Sequence, residues 1–355
     1  MSICFKIKKA FLNKPHMKKF FIYLVLAASI NACTTKDNAH LNKAEDVEAK
    51  DQMALSSWSD STRQLIEAWV KDVTDTSSPN FIPVPDRIAV FDNDGTLWPE
   101  QPVPNQLIFA IANLKALAPT HPEFQKDQVL KGILDGDLSP MKKAGEIGFL
   151  KLLAASHTNQ TEDAFNLAVR NWADTARDAK FHKLYKEVIY LPMVELLNYL
   201  RANEFKTFIV SGGGVDFMRV WTEEAYGIPP YQVIGSYAAV KYDVVDGKPV
   251  ITKTAGSPYV DDKAGKPQAI HQFIGKVPVF CGGNSDGDQA MMQYTSGSKY
   301  KSMCVILHHT DATREYEYDL KTLSGHLETA LVEAKEKNWL VVDMKKDFKR
   351  IFSFD

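Results

Sequence analysis

The chain has 355 residues, 45% of them hydrophobic and 24% charged, a composition typical of a soluble globular protein with one large or two modest domains. Residues 1–32 carry six lysines and no acid, so the remaining 36 basic residues face 44 acidic ones, a formal charge of −8. Because nucleic-acid-binding domains are usually basic, this balance argues against nucleic acid as a partner.

Four cysteines occur, at Cys4, Cys33, Cys281 and Cys304. They form no Cys-x-x-Cys pair and have no histidine at zinc-ligand spacing, so a zinc site is not expected. Cys281 and Cys304 lie in apolar runs and are predicted to be buried thiols rather than a disulfide.

Residues 1–33 are predicted to be a signal peptide that ends in a lipobox. Met17-Lys18-Lys19 is basic, an apolar run follows from residue 20 to residue 30, and a small residue precedes Cys33. This run is too short to span a membrane in the mature protein. Ile30-Asn31-Ala32-Cys33 looks like a bacterial lipobox, which implies cleavage before Cys33 and lipidation of its thiol and amine. A plain signal peptide and a buried hydrophobic helix are the alternatives, and Met17 is a second candidate for the start.

The leader predicts an exported lipoprotein, anchored in a bacterial membrane by the lipid on Cys33 and facing the periplasm or the exterior. Residues 34–56 are polar and charged without apolar periodicity, so we expect a flexible tether there. Apolar residues at helical spacing between Trp58 and Val73 then predict a first helix, with Ser59 or Ser61 as its N-cap.

A pair of carboxylates follows the first predicted strand. The apolar run from Ile88 to Phe91 has the length of a buried strand, and Asp92-Asn93-Asp94-Gly95-Thr96 comes directly after it. Two like charges so close repel each other and need hydrogen-bond or cation partners, which a divalent metal with a phosphoryl group would provide. The alternative is an ordinary Asp- and Gly-rich turn after a strand.

Helical periodicity dominates between residues 100 and 188. Proline, glycine, serine and asparagine residues separate four predicted helices, at 106–117, 122–134, 142–155 and 162–177. An independent helical domain without catalytic relevance is one interpretation, but the insertion point next to Asp94 argues against it.

The strand pattern resumes after a helix predicted from Leu191 to about Asn203. A second buried strand runs from Phe205 to Val210 and is followed by Ser211 and three glycines at 212–214. Glycines permit close approach of the backbone and offer amide donors, so a strand, a glycine-rich turn and a helix predict an anion-binding site.

A β-hairpin is predicted from Val240 to Thr252, around Asp246-Gly247. After it, Lys266 begins a predicted helix that runs toward Phe273, and Lys263 lies three residues earlier. A solvated surface position is the usual fate of any single lysine.

Two further strands are predicted downstream. Val277 to Cys281 precedes Gly282-Gly283-Asn284-Ser285-Asp286-Gly287-Asp288, and Met303 to Leu307 precedes His308-His309. We expect a strand-end loop at the histidine pair rather than a metal site, because further spaced ligands are missing from the sequence nearby.

Three apolar strands therefore end in polar residues of the kind that bind ligands: Asp92 and Asp94, Ser211, and Asn284 and Asp288. In an open α/β sheet, ligands bind at the carboxyl ends of the strands near the point where the strand order reverses. We expect these residues to converge.

Together the motifs resemble those of the haloacid-dehalogenase (HAD) superfamily of phosphohydrolases, most closely its phosphoserine-phosphatase-like branch, from Phe81 to the C-terminus. The resemblance implies an α/β fold with a Rossmann-like doubly wound parallel sheet as core (residues 57–99 and 189–355) and an inserted all-helical cap (100–188). Asn284 departs from the family pattern, because most relatives carry Asp there. An Asn carbonyl oxygen can still bind Mg²⁺, with less charge.

The resemblance also implies roles for the site residues. Asp92 would attack phosphorus to form an aspartyl-phosphate, and Asp94 would protonate the leaving alkoxide and then activate water. The phosphate would be held by Asp92, Asn93, Ser211, Gly212, Gly213 and Lys266, with Lys263 as the rival lysine. Mg²⁺ would be bound by Asp92, the Asp94 carbonyl, and Asn284 or Asp288 through water.

The expected function is a Mg²⁺-dependent phosphomonoester hydrolase for a small phosphorylated metabolite. The second acid, Asp94, favours hydrolysis, since relatives that dehalogenate lack it. A phosphotransferase or phosphomutase on the same scaffold, and a catalytically weak phospho-ligand-binding lipoprotein, are the alternatives. The sequence determines neither the substrate nor the oligomeric state.

Overall fold

The computed structural model describes residues 55–256, 258–322 and 324–355. The predicted signal peptide, the lipobox with Cys33 and the tether up to residue 54 lie outside these ranges and stay predictions. Within them, no helix combines the length and the apolar character needed to cross a membrane.

The core is a six-stranded sheet in which all neighbouring strands are parallel. The strands of the described residues are β1 (Ile88–Phe91), β2 (Lys206–Gly214), β3 (Val233–Ser236), β4 (Val240–Val245), β5 (Lys248–Lys253), β6 (Phe280–Gly283), β7 (Met303–His308) and β8 (Leu340–Asp343). The sheet order is β3-β2-β1-β6-β7-β8, and β4 and β5 form a separate antiparallel hairpin. With the hairpin set aside, this is the order of a doubly wound Rossmann-like sheet, as predicted.

The first strand is buried on both sides. Ala89 and Phe91 pack into one apolar core, and Ile88 and Val90 pack into another, because successive side chains of a strand point to opposite faces. The predicted strand from Ile88 to Phe91 is confirmed, and the residues that follow it emerge at the middle of the sheet.

Helices cover both faces of the sheet. The α-helices of the described residues are α1 (Asp60–Thr74), α2 (Asn105–Leu117), α3 (Gln128–Asp135), α4 (Ser139–Ala144), α5 (Glu146–His157), α6 (Glu162–Thr175), α7 (Leu191–Ala202), α8 (Val215–Arg219), α9 (Thr222–Tyr226), α10 (Gly265–Ala269), α11 (Gln289–Ser296), α12 (Thr329–Lys337) and α13 (Met344–Asp347). α1 and α7 contribute to the core of Phe91, whereas α11 and α12 contribute to the core of Val90. Ser59 caps α1 by accepting a hydrogen bond from the Thr62 amide.

The inserted block between β1 and β2 is helical, as predicted, and has an apolar cluster of its own that includes Leu107, Leu114 and Leu152. Two of the predicted helices are interrupted. In place of the helix predicted at 122–134, the structure has a 3₁₀ turn followed by α3. The helix predicted at 142–155 is divided into α4 and α5 at Gly145, because a φ of 59° is incompatible with a helix interior. The predicted cap limits at 99/100 and 188/189 stay predictions.

The hairpin is confirmed, with Asp246 at φ 52° and Gly247 at φ 75° in the turn, as a type I′ turn requires. The predicted glycine-rich turn after β2 is wrong. The strand continues to Gly214, with a register shift against β3 between Ser211 and Gly214, and α8 begins at the next residue.

Both core cysteines, Cys281 on β6 and Cys304 on β7, are buried free thiols, as predicted.

Candidate active site

The predicted site residues gather at the carboxyl ends of β1, β2 and β6, where the strand order reverses. A cavity of about 500 Å³ lies there, and its lining includes Asp92, Asp94, Ser211, Gly212, Gly213, Lys266 and Asn284. Asn93 and Asp288 are buried beside the cavity and do not line it. The tertiary structure thus brings the three strand ends together.

Lys266 joins two of the strand ends. Its Nζ donates to Asp92 Oδ1 at 2.6 Å and to Asp288 Oδ1 at 2.6 Å, and the lysine is only 2% exposed. Burial disfavours the ammonium, but the attraction of Asp288 and Asp92 outweighs it and raises the pKa of Lys266 above its ordinary value. Of the two candidate lysines, Lys266 is therefore the one that holds the carboxylates, while Lys263 lines the same cavity.

The buried carboxylates outnumber the ammonium. Burial raises the pKa of Asp92, and the repulsion of Asp288 and Asp94 adds to this effect, although Lys266 opposes it. An additional cation would relieve this excess of negative charge, so the site suits a divalent metal.

The oxygen-rich set predicted for Mg²⁺ also fits its ligand preference. Among the described residues, no three His, Cys, Asp or Glu side chains group as a metal site, and the predicted set depends partly on an amide and a main-chain carbonyl.

Asp94 also lines the cavity. It accepts a hydrogen bond from Trp98 Nε1 at 2.8 Å, and burial raises the pKa of its carboxyl. A Cβ atom on Gly213 would lie 3.3 Å from Asp94 Oδ2, so the end of β2 passes close to this carboxyl. A carboxyl that keeps its proton to higher pH is suited to be a general acid.

The end of β2 is fixed by side chains. Ser211 Oγ accepts from the Gly213 amide at 3.1 Å, and Gln106 Oε1, from α2, accepts from the Gly214 amide at 2.7 Å. Two of the amides in the glycine stretch are therefore engaged within the protein. The segment still pairs with β3 at Ser211 and Gly214, and it therefore belongs to the strand.

Asn284 and Asp288 have different positions after β6. Asp288 Oδ2 accepts from the amides of Asn284 and Ser285 at 2.9 and 3.0 Å, and its Oδ1 is held by Lys266. Both of its oxygens are thus engaged, which suits contact with a metal through water. Asn284 instead lines the cavity, and its Nδ2 donates to Glu100 Oε1 at 2.6 Å.

Asn93 is buried and contacts Tyr226 instead of lining the cavity. Its Oδ1 accepts from the Tyr226 hydroxyl at 3.3 Å, and it is 1% exposed. Its side chain therefore braces the loop after β1.

Glu100, which no pattern in the sequence indicated, lines the cavity and is 3% exposed. Burial raises its pKa to about 7, against the opposing influence of His309 and of hydrogen bonds. The only sequence signal was an acid two residues after Trp98, where no family motif directed attention to it.

The histidine pair at the end of β7, whose last residue is His308, includes a second site residue that the sequence did not indicate. His309 Nε2 donates to the Gly95 carbonyl at 2.8 Å, and Nδ1 lies 3.2 Å from Glu315 Oε2. Burial opposes the charged ring, but the hydrogen bond to Glu315, the attraction of Glu315 and Glu100, and the bond to Gly95 together outweigh it and raise the pKa of His309. His309 thus fixes the loop that carries Asp92 and Asp94.

A doubly wound α/β sheet with an aspartate pair, a serine and a lysine at its switch point defines a class of hydrolase. The chain belongs to the family described as haloacid dehalogenase-like hydrolase, whose model matches residues 89–293.

Several solved structures are similar to this chain. A conserved, functionally unknown protein from Anaerococcus prevotii DSM 20548 is 13% identical, with a TM-score of 0.51 over 83% of this chain and 96% of that one. A protein of unknown function from Bordetella pertussis Tohama I is 16% identical, with a TM-score of 0.40 over 73% and 98%. A phosphoserine phosphohydrolase-like protein from Francisella tularensis is 15% identical, with a TM-score of 0.35 over 70% and 98%. No curated protein matches this chain.

Proposed function

We propose that the protein is a phosphomonoester hydrolase that acts through an aspartyl-phosphate on Asp92. The observation that carries this proposal is the arrangement around Asp92: Lys266 Nζ holds its Oδ1 at 2.6 Å, and Asp94 lies within the same cavity. Membership of a hydrolase family supports the reaction class.

The chemistry divides into two transfers. In the first, an Asp92 oxygen bonds to phosphorus, the bond from phosphorus to the ester oxygen breaks, and Asp94 gives its proton to the leaving alkoxide. In the second, water attacks the aspartyl-phosphate, Asp94 takes back a proton, and inorganic phosphate and free Asp92 are released. The raised pKa of Asp94 favours the protonated form that the first step needs.

The surrounding residues orient the Asp92 nucleophile and neutralise the negative charge of the phosphoryl group. Lys266 fixes the Asp92 carboxylate and offsets negative charge on the transferred group, and Ser211 is placed to donate to a phosphoryl oxygen. Mg²⁺, held by the Asp92 carboxylate, the Asp94 carbonyl and Asn284, would supply further charge compensation for the phosphate.

The test is hydrolysis of an aryl phosphate by the full-length protein, with Mg²⁺ or with a chelator. We expect turnover only with Mg²⁺, and we expect Asp92→Asn to lower kcat more than about a thousandfold because no nucleophile remains. Asp163→Asn, an exposed position on α6, makes the same change of charge and should keep activity.

Other outcomes would contradict the proposal. Turnover that requires an added alcohol or sugar acceptor would identify a phosphotransferase. Tight binding of phosphomonoesters without turnover, across several metals, would identify a binding lipoprotein.

A further inference from the structure

Asn284 leaves the predicted metal site one negative charge short. The structure places another carboxylate against it, because Glu100 Oε1 accepts a hydrogen bond from Asn284 Nδ2 at 2.6 Å. Glu100 comes from the loop after β1 and Asn284 from the loop after β6, and both are almost fully buried. Since burying a carboxylate is costly, this contact needs a compensating role.

The contact also fixes the orientation of the amide. A carboxylate oxygen accepts hydrogen bonds, so the Asn284 side chain must turn its NH₂ group toward Glu100 and its carbonyl oxygen away. That oxygen accepts from the Thr96 hydroxyl at 3.2 Å, and a hydroxyl can rotate to another acceptor. The amide oxygen is thus the atom of Asn284 that can bind a cation.

The position of Glu100 is enclosed by two glycines. A Cβ atom on Gly95 or on Gly325 would lie 2.3 Å from Glu100 Oε1, and both glycines have positive φ, of 73° and 75°. The Tyr318 hydroxyl donates to the same oxygen at 3.0 Å. The backbone is therefore shaped to hold this carboxylate beside Asn284.

We propose that Glu100 is a positioning residue of the metal site: in its ionised form it supplies the negative charge that Asn284 lacks, and it directs the Asn284 carbonyl oxygen to a divalent cation. This inference rests on the proposed Mg²⁺ site.

The test is the affinity for Mg²⁺ alone, measured by calorimetry on the full-length protein without substrate. Glu100→Gln keeps an acceptor for Asn284 but removes the charge, and we expect it to weaken Mg²⁺ binding about tenfold or more. Combining Glu100→Gln with Asn284→Asp exchanges the two groups and should recover most of the affinity. Tyr318→Phe removes another contact of the same oxygen without changing charge, and its affinity should stay within about twofold of wild type.

The inference is overturned if Glu100→Gln binds Mg²⁺ as wild type does, or if the exchange variant binds no more tightly than Glu100→Gln. Failure of the wild type to bind Mg²⁺ would overturn it as well. Mg²⁺ binding that follows the expected order without phosphatase activity would support the role of Glu100 and count against the proposed reaction.

A different observation carries a second inference, on the substrate. A cavity of about 450 Å³ adjoins the first and shares Gln106, Phe149 and Gly212 with it. Its other walls are largely apolar, with Leu150, Leu153, Phe165 and Phe217 among them. Phe149 and Leu150 line this cavity and are 41% and 42% exposed, so their apolar surface is available to a ligand.

The charges in this second cavity are already balanced. Lys253 is paired with Asp216, and its Nζ lies 4.5 Å from the centre of the Phe165 ring. Burial lowers the pKa of His157 to about 3, so its ring is neutral. The described lining residues therefore offer an organic group apolar surface and no unpaired charge.

We infer that the second cavity receives the leaving group, and that the substrate is a phosphomonoester with an uncharged, largely apolar organic part. This inference deepens the proposed function. The sequence alone suggested only a small phosphorylated metabolite and left its organic part open.

The test compares 2-phenylethyl phosphate with ethyl phosphate, whose leaving alkoxides are chemically alike. We expect a higher kcat/KM for the phenylethyl ester than for the ethyl ester. We expect Leu150→Lys to lower the ratio of these two kcat/KM values about tenfold. Leu167→Lys, 59% exposed on α6 and outside the cavity lining, is the matched control and should keep the ratio.

Binding of both esters to Asp92→Asn, measured by calorimetry, separates this inference from the reaction. The inference about the second cavity is overturned if Asp92→Asn binds the two esters with equal affinity. It is also overturned if the kcat/KM ratio of the two esters is the same in Leu150→Lys and Leu167→Lys. Tighter binding of the phenylethyl ester without turnover by the wild type supports the cavity and contradicts the hydrolase proposal.

Discussion

His157 shows how burial changes the chemistry of a single side chain. It ends α5, its Nδ1 lies 2.7 Å from Ser156 Oγ, and its Nε2 lies 3.1 Å from Gln106 Nε2. Burial, and to a smaller extent Lys253, lowers its pKa from 6.5 to about 3. In the folded protein the ring of His157 therefore stays neutral at pH values near 6.5, where an exposed histidine would begin to bind a proton.

This shift predicts a pH dependence of stability. Between pH 6.5 and pH 3 the unfolded chain binds the proton at His157 and the folded chain does not, so the free energy of unfolding falls as the pH falls through 6.5. From pH 7.5 to pH 5.5 this one group should cost about 1.4 kcal/mol.

Urea unfolding of wild type and His157→Gln at both pH values checks the expectation. Glutamine retains polar contacts but does not titrate, so the variant should lose about 1.4 kcal/mol less than wild type over this interval. The same pH dependence in both proteins would contradict it.

At the scale of elements, loop acids have roles that their position in the sequence does not distinguish. Asp286 lies two residues from both Asn284 and Asp288, yet its Oδ1 accepts from the amides of Glu328 and Ala330 at 3.0 and 2.9 Å. It therefore satisfies free amides at the start of α12 and ties the loop after β6 to that helix.

We expect Asp286→Ala to lower the free energy of unfolding by about 1 kcal/mol, as loss of a helix cap usually does. Glu336→Ala removes an exposed acid within α12 and should change stability by less than about 0.5 kcal/mol. Denaturant unfolding compares the two variants. A cost for Asp286→Ala no larger than that for Glu336→Ala would show that the contact does not stabilise the helix.

At the scale of the molecule, the basic leader of residues 1–33 and the acidic chain that follows it are predicted to have different fates. The leader directs export, and the remainder is the exported protein. The tether and Cys33 lie outside the described residues, so the anchor is a proposal from sequence alone. Lipidation at Cys33 would hold the α/β domain at a membrane surface, because acyl chains bury many methylene groups in the bilayer.

The anchor predicts fractionation. Full-length protein expressed in bacteria should sediment with membranes, and Cys33→Ser should move most of it to the soluble fraction or leave it as unprocessed precursor. Cys4→Ser, in the same leader, is the control and should not change the distribution. Membrane association that survives Cys33→Ser would contradict lipidation at this residue.

The amino-acid sequence by itself determined the strands that carry the site and the chemistry at their ends. The strand from Ile88 to Phe91 and the hairpin around Asp246-Gly247 follow from local patterns, burial on both faces in one case and positive φ in the other. The convergence of Asp92, Ser211 and Asn284 followed from the rule that parallel strands present their carboxyl ends at one edge.

Only the tertiary structure decided which side chains act together, because hydrogen bonds between residues far apart in sequence leave no local pattern. Gln106 from α2 satisfies the Gly214 amide, and the glycine segment pairs with β3 instead of turning. Lys266, and not Lys263, is identified as the lysine of the site because its Nζ donates to two buried carboxylates. The hydrogen bond between Glu100 and Asn284 joins the loops that follow β1 and β6. Both residues are buried, and a hydrogen bond is electrostatically stronger in the protein interior than in water.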